Sequence, residues 1–244
     1  MEKTNDKTIV GDALSDPQVR DVCAKLDHTF IRIDADTKLD DFLRAVEDAV
    51  VYGFRSLAVC GNLVPTIKKH YPNLRVSAAL SFPLGADTTA AKVFAVQDML
   101  EYGADDIDIV LDLFAVKTHN WGKTTEEVSA IAREVGRAGR VFKAITEAPI
   151  LTDDEIRNVA EILIDNGADF FKTSTGYGGR PATTPALVAK IRGYVGTRIQ
   201  VKASGGIRTL ADYRGVVGAG ADVVGSSSSP AIVDELVREL TGSL

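Results

Sequence analysis

Two lysines, Lys172 and Lys202, stand thirty residues apart in short strand-like segments, Phe171-Lys172-Thr-Ser-Thr-Gly176 and Val201-Lys202-Ala-Ser-Gly-Gly206. Thirty residues is about one strand–helix unit, so the two side chains are expected on neighbouring parallel strands. Ammonium groups brought close together repel, and one relieves the repulsion by losing its proton near neutral pH. The resulting amine is a nucleophile that attacks a carbonyl carbon, and the imine so formed is an electron sink for carbon–carbon cleavage. Asp108, on a strand-like segment of its own, would move protons while the carbinolamine forms and dehydrates. The pattern points to Schiff-base chemistry.

A second set of residues suits an anion. Ser204-Gly205-Gly206 and Gly225-Ser226-Ser227-Ser228-Ser229 each follow an apolar segment, and the latter leads into the last helix-like stretch. Glycines let backbone N–H groups approach an anion, hydroxyls add donors, and a helix N-terminus adds a favourable dipole. Gly176 brings a third flexible loop. The plain alternative is that these glycines serve tight turns and the serines cap a helix.

Positioning these groups is the task of a repeating strand–helix rhythm. Gly103-Ala104-Asp105, Gly167-Ala168-Asp169 and Gly220-Ala221-Asp222 each close a helix-like stretch and open a strand-like one. Eight strands are expected near Lys25–Phe30, Ser56–Cys60, Arg75–Ser81, Asp106–Asp112, Val141–Glu147, Phe170–Ser174, Ile199–Ser204 and Asp222–Gly225. Between them, Leu39, Phe42, Leu43, Val46 and Val50 form one apolar helical face. Thr152-Asp-Asp-Glu155 reads as a capping box, and Thr124-Thr-Glu-Glu127 as a similar start. The alternation predicts an α/β fold, a (β/α)8 TIM barrel forming a single domain over 1–244, with residues 1 to about 20 as an N-terminal extension. An open dinucleotide-binding sheet would need a G-x-G-x-x-G after its first strand, and none is present.

Alternate side chains of a barrel strand point to its axis. That parity sends Asp106, Asp108 and Asp112 inward, then Lys143 with Glu147, Lys172 with Ser174, and Lys202 with Ser204. Buried charges must pair, so Asp106, Asp108, Lys143, Glu147, Lys172 and Lys202 could be a purely structural network. Lys172 and Lys202, however, lie near the C-terminal ends of their strands, the face on which barrel enzymes build their sites.

On these residues the chain resembles the deoxyribose-phosphate aldolases, a lysine-dependent aldolase family with a (β/α)8 fold. The resemblance runs from Leu26-Asp27-His28-Thr29 to Ser226–Ser229, with Phe171–Gly176 and Val201–Arg208 as its most specific motifs. Val59-Cys60, Phe82-Pro83-Leu84-Gly85 and Lys143-Ala-Ile-Thr-Glu147 support it. The resemblance implies that Lys172 forms the Schiff base, that Lys202 lowers its pKa and that Asp108 relays protons. Asp27, Lys143 and Thr175 would support the site, and Gly176, Gly205, Gly206, Ser227 and Ser228 would hold a phosphate. Thr29 and Cys60, at the ends of the first two strands, complete the candidate substrate-binding set, although Cys60 also fits a packing role. The implied reaction is reversible cleavage of 2-deoxy-D-ribose 5-phosphate to acetaldehyde and D-glyceraldehyde 3-phosphate, with no cofactor. Tyr177 stands where some members carry a lysine. Two alternatives remain open: a related lysine-dependent aldolase acting on another aldose, phosphorylated or not, and a silent barrel that only binds a sugar phosphate.

Composition narrows the partners to small molecules. The 244 residues carry 28 basic against 34 acidic side chains, a net charge of −6, which disfavours nucleic acid. No apolar run exceeds four residues, so no membrane partner is expected. Two cysteines, Cys23 and Cys60, suit a reducing cytoplasm. His28, His70 and His119 are too dispersed to suggest a catalytic metal, and His28 is expected to make a hydrogen bond at the end of its strand. A homodimer is an expectation from the resemblance alone.

Overall fold

A computed structural model describes residues 14–242. Eight parallel strands close into a barrel in chain order, the last pairing with the first through Leu26↔Val224 and His28↔Ser226. The strands are β1 Leu26–Phe30, β2 Ser56–Cys60, β3 Val76–Leu80, β4 Asp106–Val110, β5 Val141–Ile145, β6 Phe170–Lys172, β7 Gln200–Ser204 and β8 Val223–Ser226. The helices are α1 Pro17–Cys23, α2 Leu39–Val51, α3 Val64–His70, α4 Thr89–Glu101, α5 Leu113–Lys117, α6 Trp121–Arg137, α7 Asp153–Asp165, α8 Pro185–Val195, α9 Leu210–Gly218 and α10 Ser229–Thr241. Of the expected N-terminal extension, residues 1–13 lie outside the described residues. The remainder is largely α1, capped where Asp16 accepts from the Gln18 N–H at 2.7 Å. Among the described residues no helix is long and apolar enough to cross a membrane.

The Gly-Ala-Asp repeat has a mechanical meaning. Gly103, Gly167 and Gly220 all have positive φ and end a helix. The aspartate two residues on then turns back to the preceding strand. Asp105 accepts from Val76 N at 2.9 Å, Asp169 from Phe142 N at 2.8 Å and Asp222 from Val201 N at 2.7 Å. Each carboxylate thereby satisfies a backbone donor at the bottom of the barrel and fixes strand register.

Three local expectations are corrected. β4 and β5 end earlier than the parity argument required. Asp112 instead caps α5, accepting from Ala115 N at 2.9 Å, and Glu147 turns out of the strand with φ +55. Helix α6 begins at Trp121 under an Asn120 cap, so Thr124 lies inside its first turn. A short amide side chain that reaches Lys123 N outcompetes the later threonine. In α2 the buried stripe is Ala45, Val46 and Ala49, and Leu39, Leu43 and Val50 are exposed. Alanines let the helix lie close to β1 and β2, which rotates the larger side chains outward. The Thr152 capping box is present as expected, with Glu155 reaching back to Thr152 N at 2.7 Å.

One ion pair between two helices is fully enclosed. Lys92 of α4 donates to Glu127 of α6 and to the Val110 carbonyl, both at 2.8 Å, and Glu127 accepts from Asp112 N at 2.9 Å. The end of β4, just beyond Asp108, is thus held from outside the barrel. Burial drives the Lys92 pKa down and the Glu127 pKa up, both towards the neutral forms. Desolvation therefore outweighs mutual attraction, as is common for enclosed pairs. Lys92→Met is expected to cost roughly 3–5 kcal/mol by stranding Glu127, while Lys92→Met with Glu127→Leu recovers most of the loss. Thermal unfolding of the two variants checks this, and an additive loss in the double variant would refute it.

Candidate active site

Inside the barrel the parity rule delivers charge at several levels. Asp27 on β1, Asp106 and Asp108 on β4, Lys143 on β5, Lys172 on β6 and Lys202 on β7 are all buried. At the lower level Lys143 donates to Asp106 and, at 3.2 Å, to Asp27, while Arg55 bonds both acids at 2.8 Å. Ser56 and Ser77 fill the remaining acceptor positions. Arg75 reaches Asp106 from the barrel's lower end.

Above them, Asp108 is shared. Its Oδ2 accepts from Lys172 Nζ at 2.7 Å and from Lys202 Nζ at 2.6 Å, the two lysines being direct register partners. Lys202 has a second carboxylate, Asp27 Oδ2, at 2.6 Å. A Cβ on Gly225 would stand 3.2 Å from Lys202 Cε, so this glycine of β8 leaves the lysine its room. Lys143 Nζ lies 3.1 Å from Asp108 Oδ1 without hydrogen-bonding geometry, which leaves that oxygen open as an acceptor.

This arrangement separates the two lysines. Burial depresses the Lys172 pKa, Asp108 opposes the fall, and repulsion from Lys202 and Lys143 adds to it, giving about 8. Burial also works against charged Lys202, but Asp108 and Asp27 outweigh it and hold that ammonium well above its ordinary value. Asp108 is held far below the usual carboxylate range by Lys143, Lys172 and Lys202 in spite of its burial. The repulsion anticipated from sequence is present, but burial is the larger cause. Near pH 7 roughly one Lys172 in ten is neutral, whereas Lys202 keeps its proton.

Lys172 forms part of the wall of a cavity of about 230 Å³ at the C-terminal end of the barrel. Thr29, Thr175, Gly176, Gly205, Gly206 and Ser227, all candidates from the sequence, line it. Asp27, Asp108, Lys143 and Lys202 lie beneath Lys172 and outside its wall. Ser228 is set back as the residue before α10, its N–H given to Ser226 Oγ at 2.9 Å. Cys60 is not brought to this cavity. It lines a neighbouring one of about 620 Å³ with Asn62, Ser81 and Asp98, and burial pushes its thiol pKa up. The thiol donates to the Ile31 carbonyl at 3.6 Å.

Glu147 is absent from the inner network because β5 stops two residues before it, and it pairs with Arg180 instead. Asp112 likewise pairs with Lys123 outside the barrel. Buried His28 packs on Phe54 with its Nδ1 unpartnered, and burial lowers its pKa to about 4, the Ser226 backbone opposing the fall. Sequence reasoning passed over Arg32, Phe82 and the side chain of Arg208, which also line the cavity. Their signal was position alone, each lying within four residues of a strand's C-terminal end. Among the described residues no three His, Cys, Asp or Glu side chains converge to hold a metal ion.

Residues 22–221 match the profile described as DeoC/LacD family aldolase. A deoxyribose-phosphate aldolase of Staphylococcus carnosus is 36% identical over 222 residues, covering 88% of this chain and 97% of that protein. One from Coprothermobacter proteolyticus is 37% identical over 213 residues, covering 86% and 95%. Among solved structures, the tetrameric deoxyribose phosphate aldolase from Aeropyrum pernix superposes with a TM-score of 0.82 at 28% identity, covering 97% of this chain and 98% of that one. The aldolase QR15 gives 0.84 at 34% identity, covering 91% and 98%.

The electrostatics predict a signed pH response. The rate at which borohydride traps an aldehyde on Lys172 should rise about tenfold per pH unit below 8 and level off above it. Lys202→Met removes a repelling charge and moves that limb to higher pH. Asp108→Asn removes an attracting one and moves it to lower pH. Trapping rates measured across pH 6–10 check both, and a limb unmoved in either variant would contradict the geometry.

Proposed function

The chain belongs to the DeoC/LacD family of aldolases, and from that premise we propose that it cleaves 2-deoxy-D-ribose 5-phosphate reversibly to acetaldehyde and D-glyceraldehyde 3-phosphate. One observation carries the proposal: two lysines share a single carboxylate oxygen directly beneath a cavity rimmed by glycine and serine loops. Neutral Lys172 attacks C1 of the open-chain aldehyde, and the carbinolamine loses water to give a protonated imine. Removal of the C3 hydroxyl proton breaks the C2–C3 bond. The bonding pair moves to C1–C2 and the imine nitrogen takes the displaced π electrons, giving an enamine and releasing glyceraldehyde 3-phosphate. Protonation at C2 and hydrolysis then free acetaldehyde and Lys172.

Asp108 begins as a carboxylate, so its first task is to accept a proton, with Oδ1 as the open acceptor. It acts as an acid only after that transfer. Lys202 supplies a fixed positive charge beside the reacting nitrogen, and Asp27 and Lys143 hold Asp108 and Lys202 in place. The backbone N–H groups at Gly205 and Gly206, Ser227 and the turn at Thr175-Gly176 seat the phosphate, with Thr29 on the sugar. Arg32 and Arg208 add positive charge to the same wall. Cys60 has no part in this assignment.

We further read the whole chain as one barrel domain acting in the cytoplasm, in keeping with its two free cysteines. The apolar face Leu39, Leu43 and Val50 on α2 supports a homodimer, which sedimentation velocity tests.

Lys172→Ala should abolish cleavage, and Lys202→Leu should depress it by several orders of magnitude with the circular dichroism unchanged. Acetaldehyde and borohydride should leave a reduced two-carbon adduct on Lys172 in the peptide map. Normal rates in either variant would sink the assignment. Equal cleavage of 2-deoxyribose and its 5-phosphate would favour an aldolase indifferent to phosphate, and a folded protein with neither adduct nor turnover a silent binder.

A further inference from the structure

Beyond β5 the chain turns at Glu147, whose side chain is buried and whose backbone is left-handed. A non-glycine residue adopts that conformation only where its contacts over-determine it. The side-chain contacts all come from one segment, the loop that follows β6. Glu147 accepts from Ser174 Oγ, from Thr175 Oγ1 at 2.7 Å and from Thr175 N at 3.2 Å, and it is ion-paired with Arg180.

That loop leaves β6 immediately after Lys172 and contributes Ser174, Thr175, Gly176 and Tyr177 to the cavity wall. Ser174 Oγ, while donating to Glu147, accepts from Gly176 N at 3.0 Å. Gly176 is thereby pressed against the next loop, so closely that a Cβ on it would stand 3.0 Å from Gly205 Cα. One carboxylate therefore sets the spacing between the glycine turns after β6 and β7. Its charge is answered by Arg180, and neither residue touches Asp108 or the three barrel lysines.

We propose that Glu147 and Arg180 are a positioning pair that fixes the phosphate end of the cavity independently of the imine end. The inference rests on the sugar-phosphate reading above. Glu147→Gln keeps the size of the side chain but loses the charge, and its amide nitrogen cannot accept from Thr175 and Arg180. The loop then drifts from Gly205, and the anion loses donors that must converge to bind it.

Steady-state kinetics of the full-length enzyme on 2-deoxyribose 5-phosphate and on 2-deoxyribose, with borohydride trapping of acetaldehyde, test the pair. Glu147→Gln and Arg180→Gln should each raise KM for the 5-phosphate at least tenfold with kcat within threefold, and Arg180→Lys should restore most of the loss. The double variant should be no worse than the worse single one. Trapping on Lys172 should proceed at the wild-type rate. Because Arg180 is half-buried, its variants give the readout even if Glu147→Gln fails to fold. Equal losses on both sugars, a fall in kcat at unchanged KM, or additive single effects would overturn the pair. A wild-type enzyme that leaves the 5-phosphate uncleaved would overturn the functional reading and this inference with it, whereas wild-type turnover with unresponsive variants overturns the pair alone.

Discussion

The Asp108 Oδ2 atom is shared by two lysine ammonium groups, and the chemistry of the barrel follows from that sharing. Asp27 and Asp106 are satisfied from below by Lys143, Arg55 and two serines. Lys202 draws on two carboxylates, Lys172 on half of one. In a medium with little water, a cation with the weaker share of counter-charge is the one that gives up its proton. The identity of the nucleophile is thus decided by the whole interior rather than by lysine chemistry at one position.

The fold serves this electrostatic arrangement in layers. Closure in chain order brings β1, β4, β6 and β7 around one axis, so Asp27 and Lys202 meet across a long stretch of chain. The Gly-Ala-Asp turns lock the bottoms of three strands, and the Lys92–Glu127 pair holds the end of β4 from outside. With register pinned below, the loops above are free to form a wall of glycines, hydroxyls and guanidinium groups.

Much of this was legible in the chain because period-two patterning and the tripeptide repeat report backbone geometry directly. The barrel, the neighbouring lysines and inward Asp108 all follow from such local regularities. What stayed hidden depends on where regularity stops. Asp112 and Glu147 continue the parity of β4 and β5 on paper, but the strands end first, one side chain capping a helix and the other gripping a loop. Arg55 enters the network from before β2, and Arg180 reaches Glu147 across 33 residues, distances no periodic pattern encodes. The exposed face of α2 was misjudged for a related reason: hydropathy marks an apolar stripe but not which side of it alanines allow to approach the barrel.

The sequence distances within the charged interior bear on how such a barrel can assemble. Lys143 and Asp27 are 116 residues apart, and Lys202 and Asp108 are 94 apart. A chain that has ordered β3 to β6 already pairs Asp106 with Lys143 and Asp108 with Lys172, while Asp27 and Lys202 arrive only with the flanking strands. A half-barrel lacks the strands that cover its inner face, so these paired charges stay in reach of water. Drying of the interior is expected to coincide with the pairing of the first and last strands, when Lys202 also reaches Asp27.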